Sequence, residues 1–186
     1  MKSSRLELRK SQRLFLKVLQ PSDCSEKYLS WFHDQEVIKF LSIRSSIPKT
    51  INDLKNFVSS CYISKSILLL GIFDTKSNAH IGNIKLSNLI QKHSGEIGIL
   101  IGNRKYWGRG IASESIKILT EYAGSTFGLV YVYAGAREDN VGSIKAFLKS
   151  GFQIHTQKEV ETEFKDISKT AFILRKYFQE SKKIQE

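Results

Sequence analysis

The stretch Tyr106-Trp107-Gly108-Arg109-Gly110-Ile111-Ala112 holds the residues of this chain whose types and spacing are best suited to chemistry. Two glycines one residue apart, placed where an apolar run gives way to a helical pattern, let the backbone approach a ligand with no side chain in between. Unpaired N–H groups at a helix N-terminus point toward negative charge, so the segment is suited to cradle a diphosphate. Arg109 adds a cation if its side chain turns inward. Neither standard nucleotide motif is present: there is no GxxxxGK[ST], and the glycines are not spaced GxGxxG with an acidic residue some twenty positions later.

A second constellation is Asn140-Val141-Gly142-Ser143, leading through Lys149 to Gly151-Phe152. Asn140 stands at a helix start, where Asn is a favoured cap, and Ser143 falls in the first turn, where Ser is ordinary helix chemistry. Glu96 opens an apolar run; on its own it reads equally as a strand-end carboxylate facing water. His33 and Asp34 sit together in a short helical region, and His80, His93 and His155 stand alone. Cys24 and Cys61 form no CxxC pair and are too few for a zinc site, so they read as small buried residues of a reducing compartment, and no metal is expected.

The elements that must position these residues follow from periodicity. Residues 13–19 form a short apolar run ended by Gln20-Pro21, which reads as a first strand. Asp23 with Glu26 makes a helix start ahead of Tyr28, Leu29 and Phe32; Thr50 with Asp53 makes another ahead of Leu54, Phe57, Val58 and Cys61. Residues 67–73, 80–86 and 96–101 are short apolar runs joined by turn residues, as in an antiparallel meander. Beyond Gly110 a helical stripe of Ala112, Ile116, Leu119 and Ala123 stops at Gly124. Residues 129–136 then read as a strand, Val141 to Leu148 as a helix ending near Gly151, and residues 171–174 as a last strand. Strand, helix, strand implies a parallel crossover, so the expected fold is a mixed α/β sheet with an antiparallel first half.

Length and composition fit one domain over residues 1–186 with short polar ends: 41% of the 186 residues are hydrophobic. The start lacks the apolar run of a signal peptide and no stretch is long enough to cross a bilayer, so a cytoplasmic protein off the membrane is expected. The formal charge of +11 favours polyanions or a phosphorylated cofactor. Much of the excess lies at the ends (Lys2, Arg5, Arg9, Lys10, Arg13; Arg175, Lys176, Lys182, Lys183) and reads as a solubilising face. A nucleic-acid partner is disfavoured because the aromatic residues fall mainly on predicted core stripes.

The two constellations, in this order and at this separation, resemble the GNAT superfamily of N-acetyltransferases and its RimJ/RimL-type branch. Gly110 and Ala112 match the end of the superfamily's acetyl-CoA motif, with Trp107 in place of its usual Gln or Arg; Asn140, Ser143 and Lys149-Ser150-Gly151-Phe152 match the branch's Asn-x-x-Ser and Lys-x-Gly-Phe pattern. The likeness runs from Phe15 to about Leu174. It implies a GNAT fold, a mixed, mostly antiparallel sheet flanked by helices, whose central strands splay into a slot for the pantetheine arm of acetyl-CoA. It implies cofactor contacts from the backbone of Leu100, Ile101 and Gly102, from the segment Trp107, Gly108, Arg109, Gly110, Ile111, Ala112 and Ser113, and from Asn140, Ser143 and Lys149. Acetyl transfer needs a free amine, a stabilised oxyanion and a proton for the leaving thiolate. Many members supply that proton from a Tyr seven residues beyond the Asn, but here Phe147 stands in its place and cannot donate. Ser143 and Asn140 become the candidates beside the sulfur, Glu96 the candidate base, and Glu161 and Glu163 lie near where the branch carries a catalytic Glu. His33 and Asp34 are candidates for binding the acceptor. The expected partners are acetyl-CoA and a small-molecule or peptide amine, a nucleotide-linked amino sugar ahead of a protein N-terminus; pairing of sheet edges would make a homodimer. A non-catalytic acyl-CoA or nucleic-acid binding module is the remaining alternative.

Overall fold

In the computed structural model, which describes residues 7–8, 11–41, 47–161 and 168–178, the apolar runs assemble into an eight-stranded sheet. The elements in chain order are β1 (Glu7–Leu8), β2 (Leu14–Val18), α1 (Glu26–Ser30), α2 (Gln35–Ile38), α3 (Ile51–Ile63), β3 (Leu68–Asp74), β4 (His80–Ile90), β5 (Ser94–Leu100), α4 (Ile111–Phe127), β6 (Tyr131–Arg137), α5 (Val141–Lys149), β7 (Gln153–Glu161) and β8 (Ser168–Tyr177). Strand order is β1-β2-β3-β4-β5-β6-β8-β7, and only β5 and β6 run parallel, joined by α4 as the crossover. The mixed, mostly antiparallel GNAT sheet expected from the sequence is thus present.

Alternation along the strands gives the sheet two unlike faces. One face buries Ile84, Leu86, Ile97, Val132, Ala134 and Leu174 against Ile116, Leu119 and Ala123 of α4 and Phe147 of α5. On the other face α1 and α3 cover only the first half, packing Tyr28, Leu29, Leu54, Val58 and Cys61 on Phe15, Leu69 and Phe73. The register of β5, β6 and β8 places Glu96, Gly98, Tyr131, Tyr133, Gly135 and Arg175 on the second half of that face. There Gly135 and Tyr177 are exposed and Tyr131 and Tyr133 half-buried, so the two tyrosines of β6 are not the core residues that their apolar run in sequence suggested.

Local signals were displaced where tertiary contacts intervened. Asp23 does not cap α1: its carboxylate accepts from the Gln20 N–H and from Lys17 Nζ, both at 2.8 Å, and Ser25 is the cap, its Oγ accepting from Tyr28 N at 3.2 Å. Thr50 and Asp53 do form the expected capping box, and the Thr50 hydroxyl and N–H hold the Asp53 carboxyl below the usual carboxylate range. Helix α4 runs past Gly124 to Phe127 and ends at Gly128, whose φ of 61° is left-handed. Gly124 is small for another reason: a Cβ there would meet the ring of Phe178. Strand β7 was not foreseen, because an exposed edge needs no apolar alternation. Arg175 and Lys176 are β8 residues, and Lys176 Nζ donates to the Ser150 carbonyl at 3.0 Å. Lys2, Arg5, Arg9, Lys10, Lys182, Lys183 and Glu163 lie outside the described residues. Among the described residues no helix is long and apolar enough to cross a membrane.

His80 is a core residue. Its ring packs on Phe73 (4.8 Å between centroids), Tyr28 and Trp31 (4.9 Å each), and Nε2 lies 2.9 Å from Asn83 Oδ1. Burial pushes its pKa down to about 4 from 6.5, against the opposing pull of the Asn83 bond. As pH falls, the unfolded chain takes up this proton first, so stability present above pH 6.5 is lost between 6.5 and about 4 and levels off below. Urea unfolding across that window should show a shallower pH dependence in His80→Gln than in the parent; an identical slope would remove His80 as its source.

Candidate active site

Between β5 and α4 the chain is shaped by its own backbone contacts. The Asn103 N–H donates to the Ile81 carbonyl at 3.0 Å, its side chain accepts from Lys105 N, and a 3-10 turn over Arg104–Tyr106 follows. Trp107 then folds back, and its indole N–H donates to the Ile101 carbonyl at 2.8 Å. Gly108 (φ 71°) and Gly110 (φ 78°) take left-handed conformations that bring the chain directly into α4. The first intrahelical bond runs from Glu114 N to the Gly110 carbonyl, which leaves the N–H groups of Ile111, Ala112 and Ser113 without helical acceptors. This is an anion cradle with no side chain in its way.

Arg13, counted at first with a solubilising end, braces that cradle from behind. Its Nη1 donates to the Arg109 carbonyl at 3.0 Å, and Nη2 pairs with the Glu114 carboxylate, which also accepts from the Ser11 hydroxyl. Arg109 itself turns outward, its guanidinium 5.9 Å from the centre of the Tyr106 ring.

The parallel pairing of β5 and β6 lasts only from Ser94–Tyr131 to Glu96–Tyr133. Beyond it the strands part, and a cavity of about 610 Å³, within the range of small-ligand sites, runs from the fork to the N-terminus of α4. It brings together Leu100, Ile101, Trp107, Gly108, Gly110, Ile111, Ala112, Ser113, Asn140, Ser143 and Lys149. Residues not singled out from the sequence complete it: Val37, Phe40 and Leu41 from α2 and the turn after it form a wall, and Asp139 and Lys145 line the α5 side; Tyr106 lines the loop. The wall is tied to β6, because Arg137 sits 5.2 Å from the Phe40 ring centre while bonding Asp139 at 3.0 and 2.6 Å. That carboxylate raises the Arg137 pKa further. A helix as short as α2 left too little periodicity to mark its residues in advance.

Five candidates lie outside the lining. Gly102 is covered by Trp31, whose indole a Cβ would overlap, and Arg109 faces outward. Asp34 caps α2, accepting from Glu36 N at 3.0 Å, and lies 3.6 Å from Arg104 Nη1; neighbouring His33 is exposed. Glu96 stands at the base of the fork on the open sheet face, its Oε2 accepting from Asn88 Nδ2 at 2.7 Å. Asn140 Oδ1 caps α5 through Ser143 N at 3.2 Å, so one lining residue orients the other. Phe147 is 2% exposed against Phe152, in the core and off the cavity.

Two substitutions probe this frame. Gly102→Ala should cost about 1–3 kcal/mol in urea unfolding, since Trp31, wedged between Tyr28 and His80, has no room to retreat. Trp107→Phe keeps the ring but loses the bond to Ile101; a net hydrogen bond of about 1 kcal/mol translates to a roughly fivefold higher KM for acetyl-CoA.

The cradle, the three-pair fork and the cavity between them are what a thioester cofactor with a diphosphate requires, and comparison with known proteins agrees. The acetyltransferase (GNAT) domain model matches residues 13–153. An uncharacterized N-acetyltransferase, p20, of Bacillus licheniformis is 25% identical over 146 residues, 77% of this chain and 80% of the relative. Among solved structures, ribosomal-protein-S5-alanine acetyltransferase of Vibrio fischeri superposes with a TM-score of 0.79 at 15% identity, covering 92% of this chain and 97% of the other. The microcin C7 self-immunity acetyltransferase, solved with acetyl-CoA and AMP, superposes with a TM-score of 0.76 at 19% identity, covering 90% and 94%. With most of its length inside the family match, the chain belongs to the GNAT family and is an acetyl-CoA-dependent N-acetyltransferase.

Proposed function

We infer that this transferase acetylates the primary amine of a small molecule, with a nucleotide-linked amino sugar as the acceptor class. The supporting observation is the wall of Val37, Phe40 and Leu41, clamped by Arg137, which narrows the approach to the fork on its α2 side. A compact amine fits that approach better than an extended peptide. A second reading, acetylation of a protein N-terminus, draws on the +11 charge, suited to a ribosomal target, and on the Vibrio fischeri neighbour described above.

Acetyl-CoA supplies the activated acyl group. The N–H groups of Ile111, Ala112 and Ser113, entered through Trp107, Gly108 and Gly110, receive the diphosphate, with Lys149 as a cation on the α5 side. Backbone N–H groups at Leu100 and Ile101 hold the pantetheine arm and polarise the thioester carbonyl, and Gly102, covered by Trp31, lies behind them. The Asn140 amide and the Ser143 hydroxyl donate hydrogen bonds to the sulfur as it leaves, since Phe147 has no proton to give. Glu96 accepts the proton of the acceptor ammonium at the fork. His33 takes no part, and Asp34 positions α2.

A free-thiol assay with acetyl-CoA against amino sugars, nucleotide-linked amino sugars, polyamines, amino acids and N-terminal peptides tests the reading. Thiol release with the nucleotide-linked amines supports it. Release with peptides alone would replace it by the second reading, and no release with any amine while acetyl-CoA binds would make the chain an acyl-CoA sensor.

A further inference from the structure

The second half of the open sheet face carries side chains that acetyl transfer leaves without a task. Tyr131 stands at their centre, with the rings of Tyr177 and His93 each 5.5 Å away, Tyr133 at 6.3 Å, and the Arg175 guanidinium 4.9 Å over its ring. Tyr177 is 56% exposed. Arg175 Nε is buried with no hydrogen-bond partner, Nη1 reaches only the Tyr177 hydroxyl at 3.4 Å, and no carboxylate among the described residues pairs with this cation. An unneutralised arginine within a half-buried aromatic cluster that opens to water at Tyr177 is suited to a flat anion.

The order of these groups along the strands is informative. Approaching the fork along β6, Tyr131 lies beside Tyr177, then Tyr133 beside Arg175, then Gly135 beside Ile173. Gly98 on β5 and Gly135 on β6 each lie two residues beyond the last pair, where the strands part; a Cβ on Gly98 would touch nothing within 4 Å, and one on Gly135 would touch only Ile173 Cδ1 at 4.0 Å. At about 3.3 Å per residue, Tyr131 and Gly135 are some 13 Å apart. The face therefore offers an aromatic surface with a cation held on it and, about a nucleotide's length further along β6, a gap onto the reacting centre. Glu96, beside Tyr133, is drawn toward β4 by Asn88 and away from Arg175.

We propose that this strip is a nucleoside-phosphate subsite: the base stacks on the exposed ring of Tyr177, the phosphate meets Arg175, and the group beyond it presents its amine between Gly98 and Gly135. The inference rests on the reading that the acceptor amine meets the thioester at the fork. A nucleic-acid strand is the poorer occupant, because it needs successive stacking platforms along a basic groove and this strip has room for one base before the fork.

Calorimetric titration of the full chain with UMP, AMP, uridine and inorganic phosphate tests it, run with saturating CoA so that the cofactor cradle is filled. UMP and AMP should bind alike, since stacking tolerates any base, and uridine and phosphate each about tenfold or more weakly. Arg175→Gln should weaken UMP by about tenfold while acetyl-CoA affinity, measured in the same preparation, stays unchanged. If that variant does not fold, Tyr177→Ser, at an exposed position, should weaken UMP several-fold. Absence of UMP and AMP binding while acetyl-CoA binds would overturn the subsite and leave the transferase reading standing; absence of acetyl-CoA binding would overturn the latter. Nucleotide binding abolished by CoA, binding of a single-stranded hexanucleotide without mononucleotides, or a dimer that buries Tyr177 and ignores nucleotides would each overturn the subsite as well.

Discussion

Gly110→Val should raise the dissociation constant of acetyl-CoA by about 100-fold, close to 3 kcal/mol. Gly110 has φ 78° and ψ 5° immediately before α4, and a β-branched residue is strained there even though a Cβ would find open space, its nearest neighbour being Arg13 Nη2 at 3.8 Å. Relief of that strain rotates the first turn of α4 and misdirects the N–H groups that face the diphosphate. Gly110→Asn is the discriminating control, because Asn tolerates the left-handed region: it should lose much less affinity than Val. Equal losses would mean that a side chain, not the backbone conformation, is what the site cannot accept, and unchanged affinity in both would place the diphosphate elsewhere.

Glu96→Gln should lower kcat/KM about 100-fold at pH 7, the lower range for a positioned general base. The deficit should shrink as pH rises past the acceptor's own ammonium pKa, where the nucleophile is already free. The substitution is nearly isosteric and keeps a partner for Asn88, so acetyl-CoA affinity should be unchanged. A deficit equal at every pH would assign Glu96 to positioning, and no deficit would remove it from the reaction.

Both effects depend on the parting of β5 from β6, and the two sides of that fork were not equally visible beforehand. The loop side was: two glycines ahead of a helical stripe state their purpose locally, because left-handed φ and helix-terminal N–H groups belong to consecutive residues. The acceptor side was not. The wall of Val37, Phe40 and Leu41 comes from a four-residue helix, too short for a periodic signal, and the turn after it, and its clamp on Arg137 joins residues almost a hundred positions apart. Asp34 looked like a ligand for an amine because its neighbours lay on a substrate-side helix, yet a cap and an ion pair occupy it.

By itself, then, the amino-acid sequence determined most of the alternation of strands and helices, the glycine turn into α4 and the Asn140 cap, since each is encoded by residues within a turn or two of one another, and through family likeness the transferred group. Tertiary structure alone decided which face each strand shows to water. Tyr131 and Tyr133 look like core in an apolar run, and they are left half-buried because α1 and α3 cover only the first half of that face while α4 and α5 occupy the opposite one. Burial is a property of what packs on a strand from elsewhere in the chain, so the open half of the sheet face appears only once all the layers are in place.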